Sequence, residues 1–282
     1  MNKIKLISDS TCDLSADLLE KYDIPIVPLY VNFYDETYRD LVDLQTEKMY
    51  ELVDKHKTLP KTAAASPGDF FEVFKKYLDL GYQIIYIGIG SKFSATFQSA
   101  NVAKQMLQSD DIHLVDSMNL SSGTGLLLLK AAKFIKEGMS IYQIIKELEI
   151  LVPKVRSQFV IDTLEYLYKG GRVSALSALM GGMLKIKPII KVRDGSMVVG
   201  KKARGSITKG IDFMIEEFLD NLDIIDNEFL MITHSLASDS CEYIKSQLIE
   251  KTQILNIYES NAGCVISSHC GKGTIGILYI MQ

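Results

Sequence analysis

The sequence predicts an α/β protein, with a parallel sheet covered on both faces in its first half and a mixed sheet in its second. Three observations carry this. Short apolar runs alternate with helix-period patterns through the first 150 residues, the signature of parallel strands joined by crossover helices. The composition shifts after the helical stretch 141–151. Beyond it, Asp194-Gly195 sits between two extended runs, and Asp-Gly is a strong hairpin signal that brings antiparallel pairing into the second half. With 282 residues, 47% of them hydrophobic and 23% charged, the chain has ordinary globular composition and enough apolar material for a sizeable core.

Residues 3–8 read as the first strand and 14–22 as a helix with Asp13 as its N-cap. Residues 24–33 look extended, with Pro25 and Pro28 confining them to strand ends or edges. Helices follow at 46–55 and 67–80, the second with Ser66 as N-cap and Pro67 at its first position. Residues 83–88 form a buried strand. Residues 94–108 form a helix with Phe97, Ala100, Ala103 and Leu107 on one face. A strand at 112–116 and a helix at 121–136 complete the first part. The division is placed at residues 1–152 and 153–282. Residues 154–161 then read as a strand, and 165–169 as a helix stopped by Gly170-Gly171. Residues 175–184 read as an apolar helix of small residues, 186–192 and 196–202 as the hairpin, and 207–221 as a helix. Strand, helix, strand and strand are placed at 229–233, 241–251, 253–259 and 274–281.

Several function classes drop out. Lys and Arg total 31 against 35 Asp and Glu, a net charge of −4, whereas dedicated nucleic-acid binders are usually basic. No apolar run approaches the ~20 residues a helix needs to span a bilayer, and the N-terminus turns polar too early for a secretory signal. Cys12, Cys241, Cys264 and Cys270 form no Cys-x2-Cys pair and read as reduced thiols, so the expectation is a soluble cytoplasmic protein. Gly271-Lys272-Gly273 fails as a phosphate loop, because Gly273 stands where Ser or Thr belongs. Gly88-Ile89-Gly90-Ser91-Lys92-Phe93 lacks the third glycine of a dinucleotide fingerprint. The Gly-x-Ser-x-Gly turn of serine hydrolases and zinc-ligand spacings are both missing.

One local arrangement survives. A buried strand ends at Gly88, a short loop follows, and Ser94 opens a helix. In an open α/β sheet ligands bind beyond the carboxyl ends of the strands, where a helix N-terminus offers free N–H groups to an anion. Ser94 as a simple helix cap explains the same residues, and spacing alone favours that reading. Ser8-Asp9-Ser10-Thr11 and the Thr62–Pro67 stretch are polar clusters of the same kind, and turn and cap chemistry accounts for both.

At these residues the sequence resembles the DegV family of fatty-acid-binding proteins. Ser8-Asp9-Ser10-Thr11-Cys12-Asp13-Leu14 matches the opening Ser-Asp-Ser-Thr-x-Asp-Leu. Ser91-Lys92-Phe93-Ser94-Ala95-Thr96-Phe97-Gln98-Ser99-Ala100 is similar to Ser-x-x-Ser-Gly-Thr-x-Gln-Ser-Ala. Val115-Asp116-Ser117, Leu164 through Ser174, Lys187-Pro188-Ile189-Ile190 and His269-Cys270-Gly271-Lys272-Gly273 also fit. Six matches in order span essentially the whole chain. The chain departs at Ala63-Ala64-Ala65, where Ser-Gln-Pro is common, at Ala95 in place of Gly, and at Cys270 and Lys272. None of these removes a key hydroxyl or cation.

The resemblance implies a three-layer α/β/α domain and a smaller α/β domain with a mixed sheet. It implies a long-chain fatty acid as ligand, no other cofactor and no metal. Thr62 and Ser94 match the hydroxyls that hold the carboxylate, and Arg172 and His269 match cations near the head group. Arg204 matches a basic position for docking a separate ATP-dependent kinase, which makes the acyl phosphate and so feeds phospholipid metabolism. The chain alone is then a monomeric carrier with no catalytic residue. The competing reading is a serine-dependent esterase or acyltransferase using Ser94 with His269. The carrier chemistry is physically sound. Burying an acyl tail is worth ~0.8 kcal/mol per CH2. A buried carboxylate must accept several hydrogen bonds, and neutral hydroxyls leave its oxygen more nucleophilic than an ion pair would. The apolar helix 175–184 and some of the eleven methionines are candidates for the adaptable lining.

Overall fold

The structure, a computed structural model, describes residues 3–172 and 186–282. The first part contains strands β1 (Lys3–Asp9), β2 (Ile26–Val27), β3 (Tyr30–Phe33), β4 (Glu36–Arg39), β5 (Lys61–Ala63), β6 (Tyr82–Gly88) and β7 (Ile112–Asp116). Its helices are α1 (Ala16–Lys21), α2 (Thr46–His56), α3 (Pro67–Asp79), α4 (Thr96–Leu107), α5 (Ser122–Lys136) and α6 (Ile141–Leu151). A parallel sheet runs in the order β2-β1-β6-β7. Along β6 the period of two is explicit: Ile84 and Tyr86 pack with Phe70 and Phe74 of α3, whereas Ile85 and Ile87 pack with Leu18 of α1 and with α5 and α6. That is a three-layer α/β/α arrangement.

The second part contains β8 (Val155–Val160), α7 (Glu165–Lys169), β9 (Ile186–Arg193), β10 (Ser196–Arg204), α8 (Ile207–Leu219), β11 (Phe229–His234), α9 (Ser238–Leu248), β12 (Asn256–Asn261), α10 (Cys264–Cys270) and β13 (Ile275–Ile280). Its sheet is mixed, in the order β10-β9-β8-β13-β11-β12, with β11 parallel to β12 and the other pairs antiparallel. Asp194 (φ 51°) and Gly195 (φ 70°) make the hairpin turn with the two positive φ values that Asp-Gly suits. α8 and α9 cover one face of this sheet.

α5 joins the two sheets. It packs on β1 and β6 to one side and on β8, β11 and β13 to the other. Leu126, Leu127, Leu128 and Leu129 are all fully buried, because a helix enclosed on every side has no solvent face to spend on polar residues. Lys130 on the same helix is buried too, paired with Asp226 at 2.6 Å and Glu228 at 2.5 Å.

Several elements differ from the sequence reading. The extended stretch 24–33 splits between two sheets, β2 in the parallel one and β3 in a small antiparallel sheet ordered β4-β3-β5. Pro28 falls between them and cannot donate to a ladder. Asp13 does not cap α1. Ser15 takes that position, and Asp13 adopts φ 48° and turns its carboxylate toward the second half of the chain. Ser66 caps α3 as expected and is reinforced by Asp69 in a capping box. α4 begins at Thr96, two residues after Ser94. α10 has no counterpart in the sequence reading. The expected helix 175–184 lies outside the described residues.

Candidate functional site

A cavity opens beyond the carboxyl ends of β6 and β7, between the parallel sheet, the mixed sheet and α10. Its empty volume, open mouth included, is about 910 Å³. Leu29, Ile89, Phe93, Phe159, Met197 and Leu278 are among its apolar walls, and Thr62, Ser94, Arg172 and His269 all line it. The described lining residues include no carboxylate, and Arg172 is their one Lys or Arg. A ligand that fits is therefore mostly apolar with an anionic or polar end.

The loop carrying Ser94 is held on three sides. Ile89 N donates to Asp9 (3.0 Å), Gly90 N to Asn119 O (2.7 Å), and Lys92 Nζ to Asp194 O at the tip of the β9–β10 hairpin (2.8 Å). Ser94 Oγ accepts from Thr96 N (3.2 Å) and lies 2.9 Å from Thr96 Oγ1. With Thr96 donating its own hydroxyl, the Ser94 proton is free for a ligand. Thr62 comes from β5, a strand rather than the helix entry of the sequence reading, and pairs with Val31 of β3. Its Oγ1 lies 2.8 Å from His269 Nε2.

His269 ends α10 and is held neutral. Burial, with a smaller contribution from the Arg172 charge, lowers its pKa to about 4. Its Nδ1 is buried, has no partner among the described residues, and faces Gly170, where an added Cβ would come within 2.2 Å of it. An orphaned acceptor is more tolerable than an orphaned N–H, so we assign the proton to Nε2. Nε2–H then donates to Thr62, whose hydroxyl proton is left to point into the cavity. Arg172 Nη1 donates to Gly170 O (2.7 Å), and the rest of this exposed guanidinium has no partner among the described residues.

The hydrogen bonds do not join Ser94 to His269. Ser94 is engaged by Thr96 and His269 by Thr62, so the pair lacks the nucleophile–base contact that an esterase reading needs. Arg204 does not line the cavity and stands exposed at the end of β10. Of the methionines, Met197 alone is among the described lining residues. The sequence reading missed Phe93, Phe159 and Leu167, which form one apolar cluster with Met197 and Ile190. Period-two patterning in β8 and β10 was the available signal. His234, given no role from sequence, also lines the cavity, with Nε2 2.9 Å from Glu259 and Nδ1 accepting from Ala237 N.

α10 is seated by the first half of the chain. Asp13 accepts from Gly263 N (2.9 Å) and from Ser121 Oγ (2.5 Å), and Asp40 accepts from Cys264 N (2.8 Å) and Ser10 Oγ (2.8 Å). Burial pushes Asp13 up to about 8 and Asp40 to about 6, against these same hydrogen bonds.

An α/β protein with an amphiphilic cavity where two sheets meet is what fold and site define. The chain belongs to the DegV family: the family described as "Uncharacterised protein, DegV family" matches residues 3–282. A DegV domain-containing protein of Clostridium acetobutylicum is 35% identical over 280 residues, covering 99% of each chain. Protein DegV of Bacillus subtilis is 32% identical over 283 residues, again covering 99% of each. Among solved structures, a Thermus thermophilus DegV family protein described for its fatty acid binding superposes with a TM-score of 0.93 at 28% identity, covering 99% of this chain and 100% of its own. A stearic acid-binding protein of Eubacterium ventriosum gives 0.87 at 28% identity, covering 100% and 98%. Among the described residues no helix is long and apolar enough to cross a membrane.

Proposed function

We propose that this protein binds a long-chain fatty acid with its tail in the cavity and presents the carboxylate to a separate ATP-dependent kinase. The observation that carries the reading is the make-up of the cavity: apolar walls that include Leu29, Ile89, Phe93, Phe159, Met197 and Leu278, hydroxyls and histidine that include Thr62, Ser94 and His269, one cation, Arg172, and no carboxylate among the described lining residues. The fatty acids named for the Thermus and Eubacterium relatives support it. Thr62 and Ser94 donate to the carboxylate. His269 orients Thr62, and Arg172 balances charge at the rim. The acyl tail supplies on the order of 10 kcal/mol gross, before ordering costs. Because the donors are neutral, a carboxylate oxygen keeps the electron density to attack the γ-phosphorus of ATP. A carboxyl O–P bond forms, the bond to ADP breaks, and acyl phosphate and ADP result. The exposed Arg204, with Lys201 and Lys202, gives the kinase a basic docking point whose contribution weakens with salt. The chain itself acts as a monomeric cytoplasmic carrier without catalysis, and 1–152 and 153–282 serve as its two domains.

Displacement of a fluorescent fatty acid by a C18 acid tests this directly, alongside phosphorylation in the presence of an ATP-dependent fatty acid kinase. One acid per chain is expected, with Ser94→Ala weakening binding by about 1–3 kcal/mol, the cost of a lost charge-assisted hydrogen bond. Failure to saturate, or a Ser94→Ala protein unchanged in both affinity and turnover, contradicts the reading.

A further inference from the structure

The two glycines that end α7 do different work. Gly171 is the left-handed residue of a Schellman turn. Its φ is 71°, its N–H donates to Tyr168 O (3.0 Å), and Arg172 N donates to Leu167 O (3.0 Å). A Cβ on Gly171 would meet nothing within 4 Å among the described residues, so glycine is needed there for conformation alone. Gly170 is the reverse. Its φ of −75° and ψ of −6° are values that any L-residue adopts, so the local backbone does not demand glycine.

His269 demands it. A Cβ on Gly170 would lie 2.2 Å from Nδ1 and 2.8 Å from Cε1 of that ring, well inside van der Waals contact. The third neighbour, at 3.0 Å, is Tyr166 O, the helix carbonyl to which Gly170 N already donates (2.9 Å). The imidazole has no free path away. Its other nitrogen, Nε2, lies 2.8 Å from Thr62 Oγ1, so room made for a side chain at Gly170 is taken from that hydrogen bond.

The contact is reciprocal. Two residues beyond His269, Gly271 receives the ring of Tyr166, and a Cβ there would meet Tyr166 Cδ2 at 2.9 Å. α7 and α10 thus each lay a ring on a glycine of the other, which fixes how closely they pack. Gly170 O also accepts from Arg172 Nη1 (2.7 Å). One glycine therefore meets two of the side chains that line the cavity, the imidazole through its bare Cα and the guanidinium through its carbonyl.

We propose that Gly170 is a positioning residue for the carboxylate site. Its bare Cα sets how far the His269 ring reaches, holds Nε2–H on Thr62, and so leaves the Thr62 hydroxyl proton to a ligand. The role of Thr62 toward a carboxylate rests on the fatty-acid reading; the seat of the ring on Gly170 does not.

Proton NMR of the ligand-free protein, together with fatty-acid displacement and thermal melts, tests it. The parent is expected to show a slowly exchanging imidazole N–H signal that is absent from His269→Ala. Gly170→Ala should lose that signal. Gly171→Ala, which strains the turn and melts lower, should keep it. Gly170→Ala should bind a C18 fatty acid about tenfold more weakly, the effect of one displaced hydrogen bond to a charged group. It should also lower Tm in the parent and markedly less in His269→Ala, where the ring is gone. That second background decides the matter even where Gly170→Ala alone does not fold. A parent that binds no C18 acid overturns the fatty-acid reading, while loss of the N–H signal in Gly170→Ala would still support the seat. No such signal in the parent, the same signal in Gly170→Ala, an equal fall in Tm in both backgrounds, or unchanged C18 affinity once the signal is lost overturns the proposal.

Discussion

The two ends of α10 are treated in opposite ways. At its start, Asp13 and Asp40 bring buried carboxylates to Gly263 N and Cys264 N. There the free N–H groups of a helix terminus repay part of the cost of burying an acid. At its end, six residues on, His269 is kept uncharged by burial and by Arg172. The first end uses acids to fix the helix between the two halves of the chain. The second end adds no charge of its own to the cavity wall, which leaves Arg172 as the one cation among the described lining residues. A rigid, costly anchor thus holds a site built from weak donors.

The largest effect expected from breaking this contrast is at the anchor. Asp13→Ala leaves two buried donors, Gly263 N–H and Ser121 O–H, without their acceptor, and should cost about 4 kcal/mol of stability, at ~1–3 kcal/mol for each buried polar group left unsatisfied. Asp13→Asn, which keeps an acceptor for Gly263, should lose less. Urea unfolding reads both, and an Asp13→Ala protein within about 1 kcal/mol of the parent would mean the anchor is dispensable.

A somewhat smaller effect is expected at the other end, and it depends on pH. Above pH 6.5, His269 is neutral folded or unfolded and contributes nothing. Between 6.5 and about 4 the unfolded chain takes up a proton that the folded protein excludes, so stability falls as pH drops through that window and levels off below it. The integrated loss is about 3 kcal/mol. His269→Gln, whose amide can still donate toward Thr62, should lack this part of the pH dependence. Parallel stability–pH curves for the two proteins would show that His269 titrates normally.

What could be read from sequence follows the same division between local and long-range causes. β1, β6, β7, α3 and the β9–β10 hairpin announce themselves through apolar period, a Ser-Pro helix start and an Asp-Gly turn, all within a few residues. The small β4-β3-β5 sheet does not: β5 has three residues, and β4 is largely exposed, with no apolar alternation to see. α10 is seven residues rich in serine, cysteine and β-branched side chains, poor helix formers, and it is seated by Asp13 and Asp40 from more than 220 positions away. Thr62, Ser94, Arg172 and His269 came from a family resemblance rather than from spacing. Their meeting around one cavity depends on that distant seating.

The most direct test of the account is a crystal structure of the protein crystallised with a C18 fatty acid. It predicts continuous density for the acyl chain through the cavity, past Phe159 and Leu278, with the carboxylate within hydrogen-bond distance of both Thr62 Oγ1 and Ser94 Oγ. Density with the head group at the opposite end, or a cavity left empty while Ser94 faces bulk water, would contradict it.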